Sequence, residues 1–344
     1  MASRPKPGPD GLHPYAIAIM RETGAADPVA AVRVKARALV RLYQDHCGPS
    51  PPPLDLEVLA SLLGIAMVGE PPRLSPDAEL VPVEGGGVEL RVNLGRPATR
   101  RRFSIGHEIV HTVFPDFDRK VQCRKPRGRD LADPDDLIEA LCDVGASELL
   151  FPLPWFAADA ARLAGTAEGV LSLARRYEAS PEATIRRLVE VSSSICAAIF
   201  LGWKLKPVQA RRFAGTRGQT CMFGIDPAYD ARALRVLRVD YCVASEAFRA
   251  GGLFVPEDKS VPNSGVIYEA AARNRCLDGE QDLDFGGARG RFSVRAIPLF
   301  TETEELGPGG ERAVAVILGV VEPSRRMLGT GMQAGGAGSS IVEA

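Results

Sequence analysis

The chain has 344 residues, with 42 Lys plus Arg against 43 Asp plus Glu and a net charge of −1. That length holds two domains, or three small units, with ample core, and the balanced charge excludes a global field that would draw nucleic acid or membrane to it. Residues 1–10 lack the charged-then-apolar plan of a signal peptide and no apolar run approaches a membrane span, so a cytoplasmic protein with no membrane partner is expected.

In chain order, residues 1–28 are expected to be flexible, the first fourteen being rich in Pro and Gly. Residues 33–43 alternate basic and apolar side chains and predict a helix, and 48–53 form a Pro-rich linker. Val88-Glu89-Leu90-Arg91-Val92-Asn93 alternates with period two and predicts a strand. A helix follows, opening at Gly95-Arg96-Pro97 with Pro at its first position and stopping before Pro115; Phe103, Gly106, Val110 and Val113 give it a buried side.

On that helix lies His107-Glu108-Ile109-Val110-His111. The two histidines are one turn apart, so both imidazoles project from one face and can hold a single ion, while Glu108 is about 100° around the helix, placed to act as base on a water at the metal. The chain has only four histidines, and two of them are at this spacing.

A catalytic zinc takes three protein ligands and keeps one position open. No histidine follows His111, and Phe114 and Phe117 stand where a metzincin would have Gly and His. The third ligand is therefore read as a carboxylate. Asp133-Pro134-Asp135-Asp136-Leu137-Ile138-Glu139 opens like a helix, with Asp133 as N-cap and acidic residues in its first turn, and should run to about Phe151. On it Glu139, Asp143 and Ala146 share a face, which makes Glu139 a metal ligand and Asp143 a partner for a ligating imidazole. By spacing alone Asp116, Asp118, Asp135 and Asp136 compete with Glu139.

Residues 165–191 read as two short helices, with Ser180 as N-cap before Pro181. The spacing fits a helix-turn-helix in which Arg186 and Arg187 could meet phosphates. It fits two bundle helices beside the catalytic ones better, because the turn lacks Gly and Glu178, Glu182 and Glu190 balance the charge. Beyond residue 207, residues 228–250 read as helix, 291–297 and 312–321 as strands around a turn at Gly307-Pro308-Gly309-Gly310, and 329–344 as a flexible tail. The seven cysteines, Cys47, Cys123, Cys142, Cys196, Cys221, Cys242 and Cys276, are odd in number and never spaced C-x-x-C, so they read as reduced and mostly buried thiols. Cys142 lies one turn from Glu139 and could approach the ion, where oxidation would tune activity, but packing is the better reading of it.

The two central motifs resemble the ImmA/IrrE family of metallopeptidases. Phe103 to His111 follows its F-x-x-x-H-E-x-x-H pattern, and Glu139, Cys142, Asp143, Ala146, Leu149, Leu150 and Pro152 follow its E-x-x-A-N/D second helix, with Cys142 where Ala is usual and Gly145 where Phe is usual. Pro53 to Ile65 is similar to the family's first helix, ending in a glycine cap at Gly64. The resemblance covers about residues 30–205 and places the third metal ligand on Glu139. It implies an α+β fold: a zincin-like metallopeptidase domain (29–160), a helical, helix-turn-helix-like segment (161–205), and a mixed α/β C-terminal domain (206–328) that in some members is GAF-like and sensory. In such a fold the strand with Val88, Leu90 and Val92 is an edge that pairs with an extended substrate, or simply a sheet edge.

The resemblance further implies a zinc-dependent endopeptidase, with manganese as the other metal, that cuts a helix-turn-helix repressor in a stress or mobile-element circuit. His107, His111 and Glu139 would hold the metal, and Glu108 would be the general base. The alternative is a metal-dependent regulator or sensor that binds DNA or a repressor without cutting it. The residues leave the oxyanion donor, the C-terminal ligand, direct DNA contact and the oligomeric state open.

Overall fold

A computed structural model describes residues 12–70, 76–84, 86–118, 122–123, 134–214, 234–299 and 312–323, and the chain divides into two compact units, residues 1–187 and 188–344. Together they make the α+β fold expected from the sequence.

The first unit opens with α1 (Pro14–Thr23) and α2 (Pro28–Cys47). Each begins with proline behind a capping residue: His13 Nδ1 accepts from the Tyr15 amide at 3.1 Å, and the Asp27 carboxylate accepts from the Ala30 amide at 2.9 Å. Residues 14–23 are thus helical within the stretch expected to be flexible, because Ala16 and Ile19 are buried as the apolar stripe of α1; residues 1–11 lie outside the described residues. Helix α3 (Leu56–Leu62), capped by Asp55, is followed by β1 (Ala66–Glu70), β2 (Ala78–Pro82) and β3 (Val88–Asn93). With β4 (Gln122–Cys123) these form a four-stranded sheet in the order β1-β3-β2-β4, β3 running parallel to β1 and antiparallel to β2.

That order corrects the reading of β3 as an edge. Both of its main-chain sides are occupied by neighbouring strands, and Val88, Leu90 and Val92 are buried in the core. The period-two pattern identified the strand and its buried face correctly, but a pattern of side chains carries no information on which strands flank it.

Helix α4 (Ala98–His111) packs on β2 and β3 and against α5 (Pro134–Leu150). Pro97 is its N-cap rather than its first helical residue. Between sheet and helix, every residue from Ser104 to His111 is buried, on all sides and not on one stripe. The two helices approach closely at small residues. A Cβ on Gly145 would lie 2.5 Å from Val110 Cγ1, and one on Gly106 would lie 3.1 Å from Leu150 Cδ1. Val110 fills the space that a phenylalanine at position 145 would take. The expected N-cap of α5, Asp133, lies outside the described residues.

Helices α6 (Trp155–Leu163), α7 (Ala167–Arg176) and α8 (Pro181–Val191) follow. Ser180 caps α8 as expected, its Oγ accepting from the Ala183 amide at 3.1 Å. Arg187 does not face solvent. It is 2% exposed and its Nη2 lies 3.0 Å from Oε1 of Glu148, itself 1% exposed on α5. Glu148 also meets Arg33 and Arg37 of α2, each at 3.3 Å. Arg187 is a buried tie between helices, which removes it from the phosphate contacts that a helix-turn-helix reading required of it.

In the second unit, β5 (Cys196–Lys204), β6 (Val236–Ala244), β7 (Leu277–Asp284), β8 (Arg289–Pro298) and β9 (Arg312–Pro323) form an antiparallel sheet in the order β6-β5-β9-β8-β7. Helices α9 (Pro207–Ala214), α10 (Glu246–Ala250) and α11 (Val266–Arg273) accompany it. Ile267 and Ala270 of α11 pack with Phe292, Val294, Val316 and Leu318 in one apolar core. Two readings change here. Residues 196–204 are a strand of this sheet rather than part of a helical segment, and 236–244, expected as helix, are strand β6, leaving a helix only over Glu246–Ala250. Both stretches are short and rich in apolar residues, where periodicity alone does not separate strand from helix. Residues 228–233, the turn at 307–310 and the tail at 329–344 lie outside the described residues. Among the described residues no helix is long and apolar enough to cross a membrane.

Candidate metal centre

The end of α4 and the first turns of α5 bring four of the expected residues together. His107 and Glu108 are fully buried, His111 is 2% exposed and Glu139 is 6% exposed. The two imidazoles are edge to face, their centroids 5.1 Å apart with an interplanar angle of 68°. Glu139 spans both: its Oε2 lies 3.3 Å from His107 Nε2 and its Oε1 lies 3.5 Å from His111 Nε2. Two of the four competing carboxylates have partners elsewhere, Asp116 accepting from the Tyr15 hydroxyl at 3.3 Å and Asp135 lying 3.8 Å from His13 Nε2.

On the other side of the His107 ring, Nδ1 is 2.9 Å from Asp143 Oδ1. In that bond Nδ1–H donates to the carboxylate, which turns Nε2 toward Glu139 and His111. His107 Nε2 is buried and makes no hydrogen bond despite its 3.3 Å approach to Glu139. Two ligating atoms at this separation are spaced as neighbours on one ion would be. Ligands on a tetrahedral zinc with bonds of about 2.0–2.2 Å are themselves about 3.3–3.5 Å apart, the separation of Glu139 from each histidine. The donor set fits a divalent ion.

Electrostatics agree. Burial alone would lower the pKa of His107, but the hydrogen bond to Asp143 and the Glu139 and Glu108 carboxylates outweigh it and raise the value to about 9. Without an ion, the cluster thus collects a proton at the point where the negative charges converge.

Val88, Leu90 and Val92 do not join this group; they underlie α4 as core. One residue outside the expected ligand set does join it. Cys142 Sγ and a ring nitrogen of each histidine lie within 4.8 Å of one another, all three residues being buried. The signal for it was present in the sequence, since Cys142 is three residues after Glu139 on one helix face, but packing explained the same spacing. The approach of His13 and Tyr15 to the ends of α4 and α5 had no such signal, the partners being separated by about a hundred residues of sequence.

Residues 84–189 match the Peptidase M78 family, described as the IrrE N-terminal-like domain. No curated protein matches the chain. Among solved structures it is similar to a Mycobacterium tuberculosis transcriptional regulator at 15% identity, over 88% of this chain and 80% of that one, with a TM-score of 0.46.

Proposed function

We propose that this chain, whose residues 84–189 form an IrrE N-terminal-like domain, is a zinc-dependent endopeptidase that hydrolyses a peptide bond in a protein substrate. The observation that carries this reading is the convergence of His107, His111 and Glu139, with Glu108 interposed between the two histidines on the same buried turn. A structural site has no use for a general base. A divalent ion held by the three residues supplies Lewis acidity toward the scissile carbonyl and toward water.

The protein's own groups do the rest. Asp143 fixes the His107 ring through Nδ1, leaving Nε2 on the side of Glu139, where it would serve as a metal donor. Glu108 accepts the proton of the attacking water as it adds to the carbonyl carbon, and returns a proton to the leaving amine as the C–N bond breaks. Enclosure of α4 between the sheet and α5 keeps bulk water from competing. The substrate class supported by the family resemblance is a helix-turn-helix transcriptional repressor, cut in a stress or mobile-element response.

A second reading is favoured by one observation, the place of Cys142 beside both histidines. Four protein donors make a closed, structural site, which suits a metal-dependent regulator that binds DNA or a repressor without cutting it. Glu108→Gln decides between them. Mapping new protein N-termini in the host should show one or a few cuts that vanish in the variant while metal content is unchanged; identical N-termini in both strains, stressed and unstressed, would establish the non-cleaving regulator.

A further inference from the structure

Between α4 and α5 the helix axes come close enough for Val110 to pack directly on Gly145 and for Gly106 to face Ala146 and Leu150. Such an approach brings short side chains on α5 within reach of groups on α4, and Cys142 is short. It lies in a fully buried position, is in no disulfide, and its Sγ shares a 4.8 Å sphere with a nitrogen of His107 and one of His111. His107 Nε2 is buried, makes no hydrogen bond and lies 3.3 Å from Glu139 Oε2. Glu139 and Cys142, at i and i+3 on α5, present an oxygen and a sulphur from one helix face, opposite two nitrogens at i and i+4 on α4.

We propose that Cys142 is a fourth donor to the metal, so that the resting centre is closed by His107, His111, Glu139 and Cys142. The inference rests on the reading of this cluster as a metal centre. The thiol loses its proton to solvent as the metal–sulphur bond forms. An N–S edge in a tetrahedral zinc site is about 3.6 Å, from bonds of about 2.0 and 2.3 Å, against an observed grouping within 4.8 Å. Two consequences follow. A soft thiolate selects zinc or cobalt over manganese. And the sulphur occupies the position that a reacting water needs, so the peptidase is latched until Cys142 withdraws; the closed and open arrangements are two states of one site rather than two different functions.

The test is cobalt titration of the full-length metal-free protein, followed by absorbance. The expected result is one equivalent bound with an intense near-ultraviolet thiolate-to-cobalt band. In Cys142→Ala and Cys142→Ser the band disappears, while the weaker visible cobalt bands and the one-metal stoichiometry persist. Alanine is the residue that the family pattern carries at this place, so the fold should accept it. In the same variants zinc is lost to a chelator at least tenfold faster, and a one-equivalent excess of manganese competes better than in the wild type. Stoichiometric cobalt without the band in the wild type, or a band that survives in Cys142→Ala, overturns the proposal and leaves the three-ligand site intact. No cobalt bound by the wild type overturns the metal centre and the proposal together.

Discussion

Asp143 Oδ1 accepts a hydrogen bond from His107 Nδ1 at 2.9 Å, while Glu139, one turn earlier on the same helix, faces the opposite nitrogen of the same ring at 3.3 Å. One imidazole of α4 is therefore gripped at both nitrogens by α5. Orientation of the ligand is built into the helix pair rather than supplied by the ion.

Removing the outer half of that grip should weaken the metal without removing a ligand. Asp143→Ala is expected to lower zinc affinity about 10–100-fold, with Asn, which retains an acceptor oxygen, closer to the wild type. Competition against a chromophoric chelator measures both; an unchanged affinity in Asp143→Ala would mean that packing alone fixes the ring.

Metal loading should release a proton. His107 is raised to about 9 in the metal-free fold against about 6.5 for an ordinary histidine, so at neutral pH it carries a proton that the ion must displace. Zinc affinity should therefore climb with pH, about tenfold per unit from this group, and level off near 9. Calorimetry in buffers of different ionisation enthalpy reads the proton directly. The metal-free protein has the opposite dependence: a raised folded pKa contributes stability that is fully present below about 6.5 and is lost as pH rises through about 9. Denaturant melts of metal-free protein at pH 6 and pH 9.5 should show the lower pH to be more stable through this residue, a difference that His107→Gln abolishes.

Glu148 is the buried counterion of Arg187. Glu148→Ala removes the buried carboxylate beside the Arg187 guanidinium and should destabilise the first unit by about 3–5 kcal/mol. Urea unfolding monitored by Trp155 fluorescence tests this; a loss below about 1 kcal/mol would place the pair with weak surface ion pairs.

At the closest approach of α4 and α5, a Gly145 Cβ would meet Val110 Cγ1 at 2.5 Å. Gly145→Ala should therefore cost about 1–3 kcal/mol through overpacking, even though alanine is the better helix former. Val110→Ala in the same chain should recover part of that loss. Additive losses in the double variant would show that the two residues do not compete for one space.

The site was more legible than the fold. His107, Glu108 and His111 declare themselves because a three-residue chemistry is compressed into one helical turn, and Glu139 and Asp143 follow because a second amphipathic helix places them four residues apart. What escaped depended on long-range pairing. That β3 has a strand on each side is decided by residues 66–70 and 78–82, and that Arg187 is buried is decided by Glu148, 39 positions earlier. Residues 196–204 and 236–244 went astray for a different reason: each is a nine-residue stretch rich in apolar side chains, too short for its period alone to tell a strand from a helix segment.

Helix α8 has one more property. Its Arg187 is held by Glu148, which lies near the C-terminal end of α5. Glu139, Cys142 and Asp143 are mounted on that same helix, so the ion pair that seats α8 also braces the far end of the beam that carries the donors.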